Sequence, residues 1–286
     1  MKTILLDVGG SYIKCSDGRV IPVNSDGTRE EIASSLREAL GDADAAAVAI
    51  PGPFDYRQGI FRMKHKYAAV YGERFADLVA FSATEGGIPE GASAIFSATE
   101  GMLPSRAQKP TLRFMHDVNA PLAGAIRMMG LRNAALVTLG TGLGFSFALN
   151  GKVQENETGS PAISLWNRPW NGGILEEFVS ARAICNSYSR KTGEPCQSAR
   201  EVAVKAGAGD TAAREAYAEL GATLGQALHL LLRELDIHTL LMGGQISRSL
   251  DLMAIPLQDA LKDVCLAPAP EGAVFEGLAT LFETSN

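Results

Sequence analysis

The sequence predicts an α/β fold in two related halves, each a mixed sheet flanked by helices. Strand-length apolar runs alternate with longer stretches of helical periodicity along the chain. An apolar strand running into a glycine-rich turn also occurs twice. The first copy is Leu5-Leu6-Asp7-Val8-Gly9-Gly10-Ser11-Tyr12-Ile13-Lys14, and the second is Val137-Thr138-Leu139-Gly140-Thr141-Gly142-Leu143-Gly144. Glycine lets the backbone take positive φ and approach a bulky anion, and successive amides in such a turn form a concave donor site suited to phosphate.

Residues 3–8 read as an apolar strand, and 12–15 and 20–23 as short strands bounded by Asp-Gly and Asn-Ser turn residues. Residues 28–40 read as an amphipathic helix, with Thr28 as N-cap and Glu31 three residues on completing a capping box. Another apolar strand, 45–50, is stopped by Pro51-Gly52-Pro53. Further on, 112–115 is a strand, 119–129 a helix, and 134–139 with 144–149 a strand pair around the second glycine turn. Residues 176–190 and 211–235 are helical, 239–242 is a strand into Gly243-Gly244, and a last helix covers 272–282. Between these elements Phe81-Ser82-Ala83-Thr84-Glu85-Gly86 recurs fifteen residues later as Phe96-Ser97-Ala98-Thr99-Glu100-Gly101. This short tandem duplication reads as a tolerated insertion, with a substrate lid as the alternative.

With 286 residues, 46% of them hydrophobic, the chain can build one large or two ordinary cores. Its net charge of -6 does not supply the basic surface that nucleic-acid binding needs, so no nucleic-acid partner is expected. No run approaches the ~20 apolar residues of a membrane span, and the first residues lack a signal-peptide layout; the expectation is a cytoplasmic protein. Cys15, Cys185, Cys196 and Cys265 are scattered without a CxxC pair, and read as free thiols.

Together these pieces resemble the ROK family of sugar kinases, over essentially the whole chain. Asp7-Val8-Gly9-Gly10-Ser11 is similar to the family's first phosphate motif, with Ser11 keeping the hydroxyl. Leu139 to Gly144 is similar to the second, and Met242-Gly243-Gly244-Gln245-Ile246-Ser247 to the adenosine motif. The resemblance implies a two-lobed, actin-like ATPase (ribonuclease H-like) fold with a central nucleotide cleft. The lobes it implies are 1–116 joined by a returning helix at 272–286, and 117–271. It implies ATP and Mg2+, a sugar substrate and a homodimer.

For the chemistry, His116-Asp117-Val118-Asn119-Ala120 stands where the family has a motif whose aspartate is the catalytic base. On spacing alone, Asp117 between a strand and a helix also suits a plain N-cap. Asp7 can hold magnesium through water beside a phosphate turn, or merely bond its own turn. Lys14 either faces the phosphates or solvates a hairpin edge. The resemblance implies phosphate contacts at Gly9, Gly10, Ser11, Gly140, Thr141, Gly142 and Gly144, adenosine contacts at Gly243 and Gly244, and sugar contacts at Pro51, Gly52, His116, Asp117, Glu157 and Glu176. His116 supports Asp117 or is a satisfied core histidine.

The chain also departs from the family. Ser160 replaces a histidine, Met63-Lys64-His65-Lys66-Tyr67 stands where a sugar-binding asparagine is expected, and the cysteine cluster is missing from residues 166–173. No structural zinc is therefore expected. His65 and Lys66 are sugar ligands or a basic loop surface, and Trp166 and Trp170 stack on a sugar or pack. The expected reaction is ATP-dependent phosphorylation of a hexose or amino sugar at a primary hydroxyl; the alternative is a catalytically inactive sugar- or nucleotide-binding relative. A sugar-responsive repressor would need a helix-turn-helix ahead of the first strand, for which there is no room. A dinucleotide oxidoreductase would need GxGxxG spacing that Gly140 and Gly142 do not provide.

Overall fold

The computed structural model describes residues 2–80 and 110–283. The chain divides into two compact units, Met1–Phe114 and Met115–Asn286. The duplicated segment lies outside the described residues.

In chain order the first unit holds β1 (Thr3–Val8), β2 (Tyr12–Cys15), β3 (Val20–Pro22), helix α1 (Arg29–Leu40) and β4 (Ala45–Ile50). It continues with the short hairpin of β5 (Phe54–Asp55) and β6 (Ile60–Phe61), helix α2 (Phe75–Val79) and β7 (Thr111–His116), whose last residues enter the second unit. The sheet runs β3-β2-β1-β4-β7, antiparallel through the first three strands and parallel between β1 and β4, with Leu5 opposite Ala47. All six residues of β4 are buried, and its small and branched side chains give the continuous apolar run of a covered parallel strand. The capping box of α1 forms: the Glu31 N–H donates to Thr28 Oγ1 at 3.3 Å and the Thr28 N–H to Glu31 Oε2 at 2.7 Å. Phe54, Phe61 and Phe75 pack ring against ring in this unit's core, with Phe114 against them.

The second unit follows with α3 (Asn119–Met129), β8 (Ala134–Leu139), β9 (Leu143–Leu149), β10 (Lys152–Val153), β11 (Pro169–Trp170) and β12 (Gly173–Ile174). Then come α4 (Ala181–Thr192), α5 (Ala199–Gly207), α6 (Thr211–Glu234), β13 (Thr239–Gly243), α7 (Leu250–Ala260), β14 (Cys265–Pro268) and α8 (Ala273–Ala279). Its sheet, β10-β9-β8-β13-β14, repeats the plan of the first: an antiparallel hairpin around a glycine turn, then parallel strands. The expectation of two related α/β halves is borne out.

Three details differ from the sequence expectations. The helix expected from residue 176 starts at Ala181, because Leu175–Glu177 forms a 3-10 turn. The closing helix, expected with the first lobe, packs on α3 inside the second unit. Gly124 and Gly277 let their backbones touch there: a Cβ on Gly124 would overlap the Ala273 carbonyl, and one on Gly277 the Ala120 carbonyl. Cys185 and Cys196, read as free thiols, form a disulfide with their Cα atoms 5.2 Å apart, since α4 ends at Gly193 and the chain doubles back. Where the cysteine cluster would lie, β11 and β12 form a hairpin instead, turned by Asn171 (φ 41°) and Gly172 (φ 84°). Asn-Gly is the pair such a two-residue turn favours, because both residues need positive φ. Among the described residues, no helix is long and apolar enough to cross a membrane.

Candidate active site

In the first unit β1 delivers Asp7 to the mouth of the Gly9-Gly10 turn. Asp7 pairs in register with Lys14 across the β1–β2 hairpin, and Lys14 Nζ lies 3.7 Å from Asp7 Oδ2. Lys14 therefore answers the carboxylate beside it. Inside the turn the Gly9 N–H donates to Tyr12 O at 2.9 Å, and the Ser25 N–H donates to Gly10 O at 3.1 Å. The Gly9 carbonyl accepts from the Tyr67 hydroxyl. In a trans peptide a carbonyl and the following N–H point opposite ways. With the Gly9 and Gly10 carbonyls so engaged, the N–H groups of Gly10 and Ser11 are turned away from Tyr67 and Ser25.

Pro51 and Gly52 leave the end of β4, and the loop after them is fixed by its own polar groups. The Tyr56 hydroxyl donates to Ile50 O at 3.0 Å, and Asp55 Oδ1 accepts from the Gln58 N–H at 2.9 Å. His65 is exposed and Lys66 half-buried.

In the second unit Asp117 sits between β7 and α3 with a half-exposed side chain. His116 Nδ1 is 2.7 Å from its Oδ1. Asp117 is not the cap of α3: Val118 holds that position, and no side chain caps the helix. Asn119, two residues on, is wholly buried. It accepts from Ser146 Oγ at 2.7 Å and donates to Glu155 Oε1 at 3.3 Å and Gly159 O at 3.4 Å. This buried amide ties the start of α3 to β9 and to the loop that carries Glu157. The loop closes on Asn156, whose Oδ1 accepts from the Thr158 and Ser160 N–H groups, and leaves Glu157 exposed.

The second glycine turn meets the third motif. Strands β8 and β13 run parallel, with Thr138 opposite Gly243. Gly244 (φ 82°) lies so close to the Leu139 backbone that any Cβ would overlap it. Gly140 to Gly144 and Gly243-Gly244 therefore sit side by side at the carboxyl ends of adjacent parallel strands, where open α/β sheets bind ligands. The Ala181 N–H, first in α4, donates to Gly140 O at 2.9 Å, so the positive end of a twelve-residue helix adjoins the turn. Glu176, expected among sugar ligands, has Oε2 accepting from the Leu143 N–H at 2.9 Å, and so braces this turn. Thr141 is exposed on it. Trp170 packs against the core of this unit, and Trp166 stays half-exposed.

Nothing lies within 4 Å of where a Cβ on Gly140 would stand, which leaves open space beside the second turn. Asp7, one carboxylate a quarter exposed beside such a turn, fits a magnesium ion that keeps most of its water. Among the described residues no cluster of three or more His, Cys, Asp or Glu side chains forms a metal cage. Sequence reasoning missed Tyr67, Ser25 and Glu155. Only the bulk of a tyrosine in a polar loop hinted at the first.

Residues 169–277 match the ROK family. The resemblance to ROK proteins read from the sequence is borne out, and so is the actin-like fold. A ROK hexokinase from Thermus thermophilus superposes with a TM-score of 0.67 at 20% identity, covering 98% of this chain and 97% of that one. A ROK glucokinase from Streptomyces griseus, in complex with glucose and AMPPNP, gives 0.70 at 20% identity, with 98% of each chain covered. A ROK transcriptional regulator, a homolog of the E. coli MLC protein, gives 0.71 at 17% identity, covering 98% of this chain and 77% of that one. No curated protein matches the chain in sequence.

Proposed function

We propose that this chain is an ATP-dependent kinase that phosphorylates a hexose or amino sugar at a primary hydroxyl. The observation that carries the reading is the pairing of the second phosphate turn with the Gly243-Gly244 turn on β8 and β13, in the same unit as a half-exposed Asp117 that caps no helix. Asp117 accepts the proton of the attacking hydroxyl, and the His116 ring fixes the orientation of its carboxylate. The amides of Gly10, Ser11, Thr141 and Gly142 donate to phosphate oxygens, where charge builds during transfer. Magnesium, held near Asp7, supplies charge neutralisation across the phosphates when bound. Pro51, Gly52 and Glu157 line the sugar in this reading, which also includes a cytoplasmic homodimer.

A second reading is favoured by the likeness to a transcriptional regulator and by the altered loop at Met63 to Tyr67: a sugar- or nucleotide-binding relative without catalysis. A coupled ADP-release assay with Mg-ATP across hexoses, free and acetylated amino sugars and β-glucosides separates the two. Sugar-dependent release with one preferred acceptor supports the kinase. A chain that binds ATP but releases no ADP with any sugar supports the second reading.

A further inference from the structure

Tyr67 is a large side chain in the left-handed region (φ 52°), wholly buried. A bulky residue is strained there, and such strain persists where surrounding contacts impose it. The contacts are specific. The Tyr67 N–H donates to Ser25 O at 2.6 Å, and its hydroxyl donates to the Gly9 carbonyl. Ser25 in turn donates its own N–H to the Gly10 carbonyl at 3.1 Å. Burial pushes the Tyr67 hydroxyl well above the usual tyrosine range, so it stays a donor at any working pH. The segment ending at Tyr67 is thus bolted to the back of the first glycine turn at two successive carbonyls.

The residue before it comes round to the turn itself. The Cδ and Cε atoms of Lys66 are each 3.9 Å from where a Cβ on Gly10 would stand. Among the described residues no hydrogen bond or ion pair engages its ammonium, whereas Lys14 is turned to Asp7. A flexible cation with its stem alongside a glycine whose N–H is presented outward suits a phosphate oxygen.

We propose that Lys66 is the cation that meets phosphate at the first glycine turn, and that Tyr67 is the positioning residue presenting both Lys66 and the Gly10 and Ser11 amides. The proposal rests on the phosphate-binding part of the kinase reading and replaces Lys14 in that role.

The test is calorimetric binding of ATP, inorganic tripolyphosphate and adenosine to the full chain and to Lys66→Met, Lys66→Arg and Tyr67→Phe, with melting curves as the folding control. Lys66→Met should weaken ATP and tripolyphosphate about tenfold and leave adenosine within about twofold, with Lys66→Arg recovering part of the loss. Tyr67→Phe should weaken the same two ligands through the loosened turn. Lys66→Met binding ATP as tightly as the unaltered chain overturns the assignment while leaving the kinase reading intact. Equal losses for adenosine and ATP also overturn it, because they report a structural lesion. An unaltered chain that binds neither ATP nor tripolyphosphate overturns both readings together.

Discussion

His116 Nδ1 lies 2.7 Å from Asp117 Oδ1, and the Val118 N–H points at the same nitrogen from 3.2 Å. One nitrogen cannot serve both: protonated, Nδ1 donates to the Asp117 carboxylate and holds it in one orientation; unprotonated, it accepts the Val118 N–H instead. Asp117→Asn should cut turnover by more than about 10²-fold while ATP affinity stays near normal. His116→Ala should cut it less and leave ATP binding unchanged. Steady-state kinetics with calorimetry checks both, and an unimpaired Asp117→Asn enzyme would remove it as the base.

Glu176 separates the two roles open to it. Its carboxylate accepts the Leu143 N–H inside the second glycine turn. Glu176→Ala leaves that donor without its partner and should weaken ATP binding about fivefold or more. A variant whose sugar KM rises while its ATP affinity holds would return Glu176 to the sugar.

Gly124 and Gly277 have no room for a side chain where α3 crosses α8. Gly124→Ala should lower stability by about 1–3 kcal/mol, and Gly277→Ala by a similar amount, through forced separation of the two helices. Urea denaturation reads this directly; two variants as stable as the parent would mean that the crossing is looser than described.

Lys191 pairs with Glu219 at 2.8 Å and Glu215 at 2.9 Å, linking α4 to α6. Burial pushes the Glu219 carboxyl up, but hydrogen bonds from Lys191 and Ser187 outweigh it and hold its pKa below the usual glutamate value. A depressed folded pKa stabilises the fold above the ordinary carboxylate range, and that contribution is lost as pH falls through the folded value. For so exposed a pair it should stay below about 1 kcal/mol. Glu219→Gln should therefore melt slightly lower than the parent near neutral pH and equally in acid, as pH-resolved melting curves would reveal.

Metal analysis of protein purified without chelator should find only substoichiometric zinc, because a two-residue Asn171-Gly172 turn stands in place of the cysteine cluster. One zinc per chain would contradict this.

Most of the scaffold was legible because its elements announce themselves locally. The Thr28 to Glu31 capping box, the all-apolar β4 and the 119–129 helix each carry their own signal, and each forms as read. The sequence places the start of α4 five residues too early because residues 176–180 have helical composition, while the Glu176 carboxylate goes to a distant turn and that of Glu177 to the Ile174 N–H. Helix α7 gave no clear signal with Pro256 inside it, and the Cys185–Cys196 pair depends on a reversal that spacing does not encode. Tyr67 and Asn119 act through partners tens of residues away. Such long-range bonds leave no periodic trace in a sequence.

The clasp of α8 on α3 also sets an order of assembly. The first unit is built from the continuous stretch up to Phe114 and can bury its core as soon as that stretch has left the ribosome. The helix that follows Asp117 must wait for Gly277, near the far end of the chain, before its exposed face is covered. A ribosome stalled before residue 273 would hold a finished first unit beside an α3 without its cover, and protease should cut the two very differently.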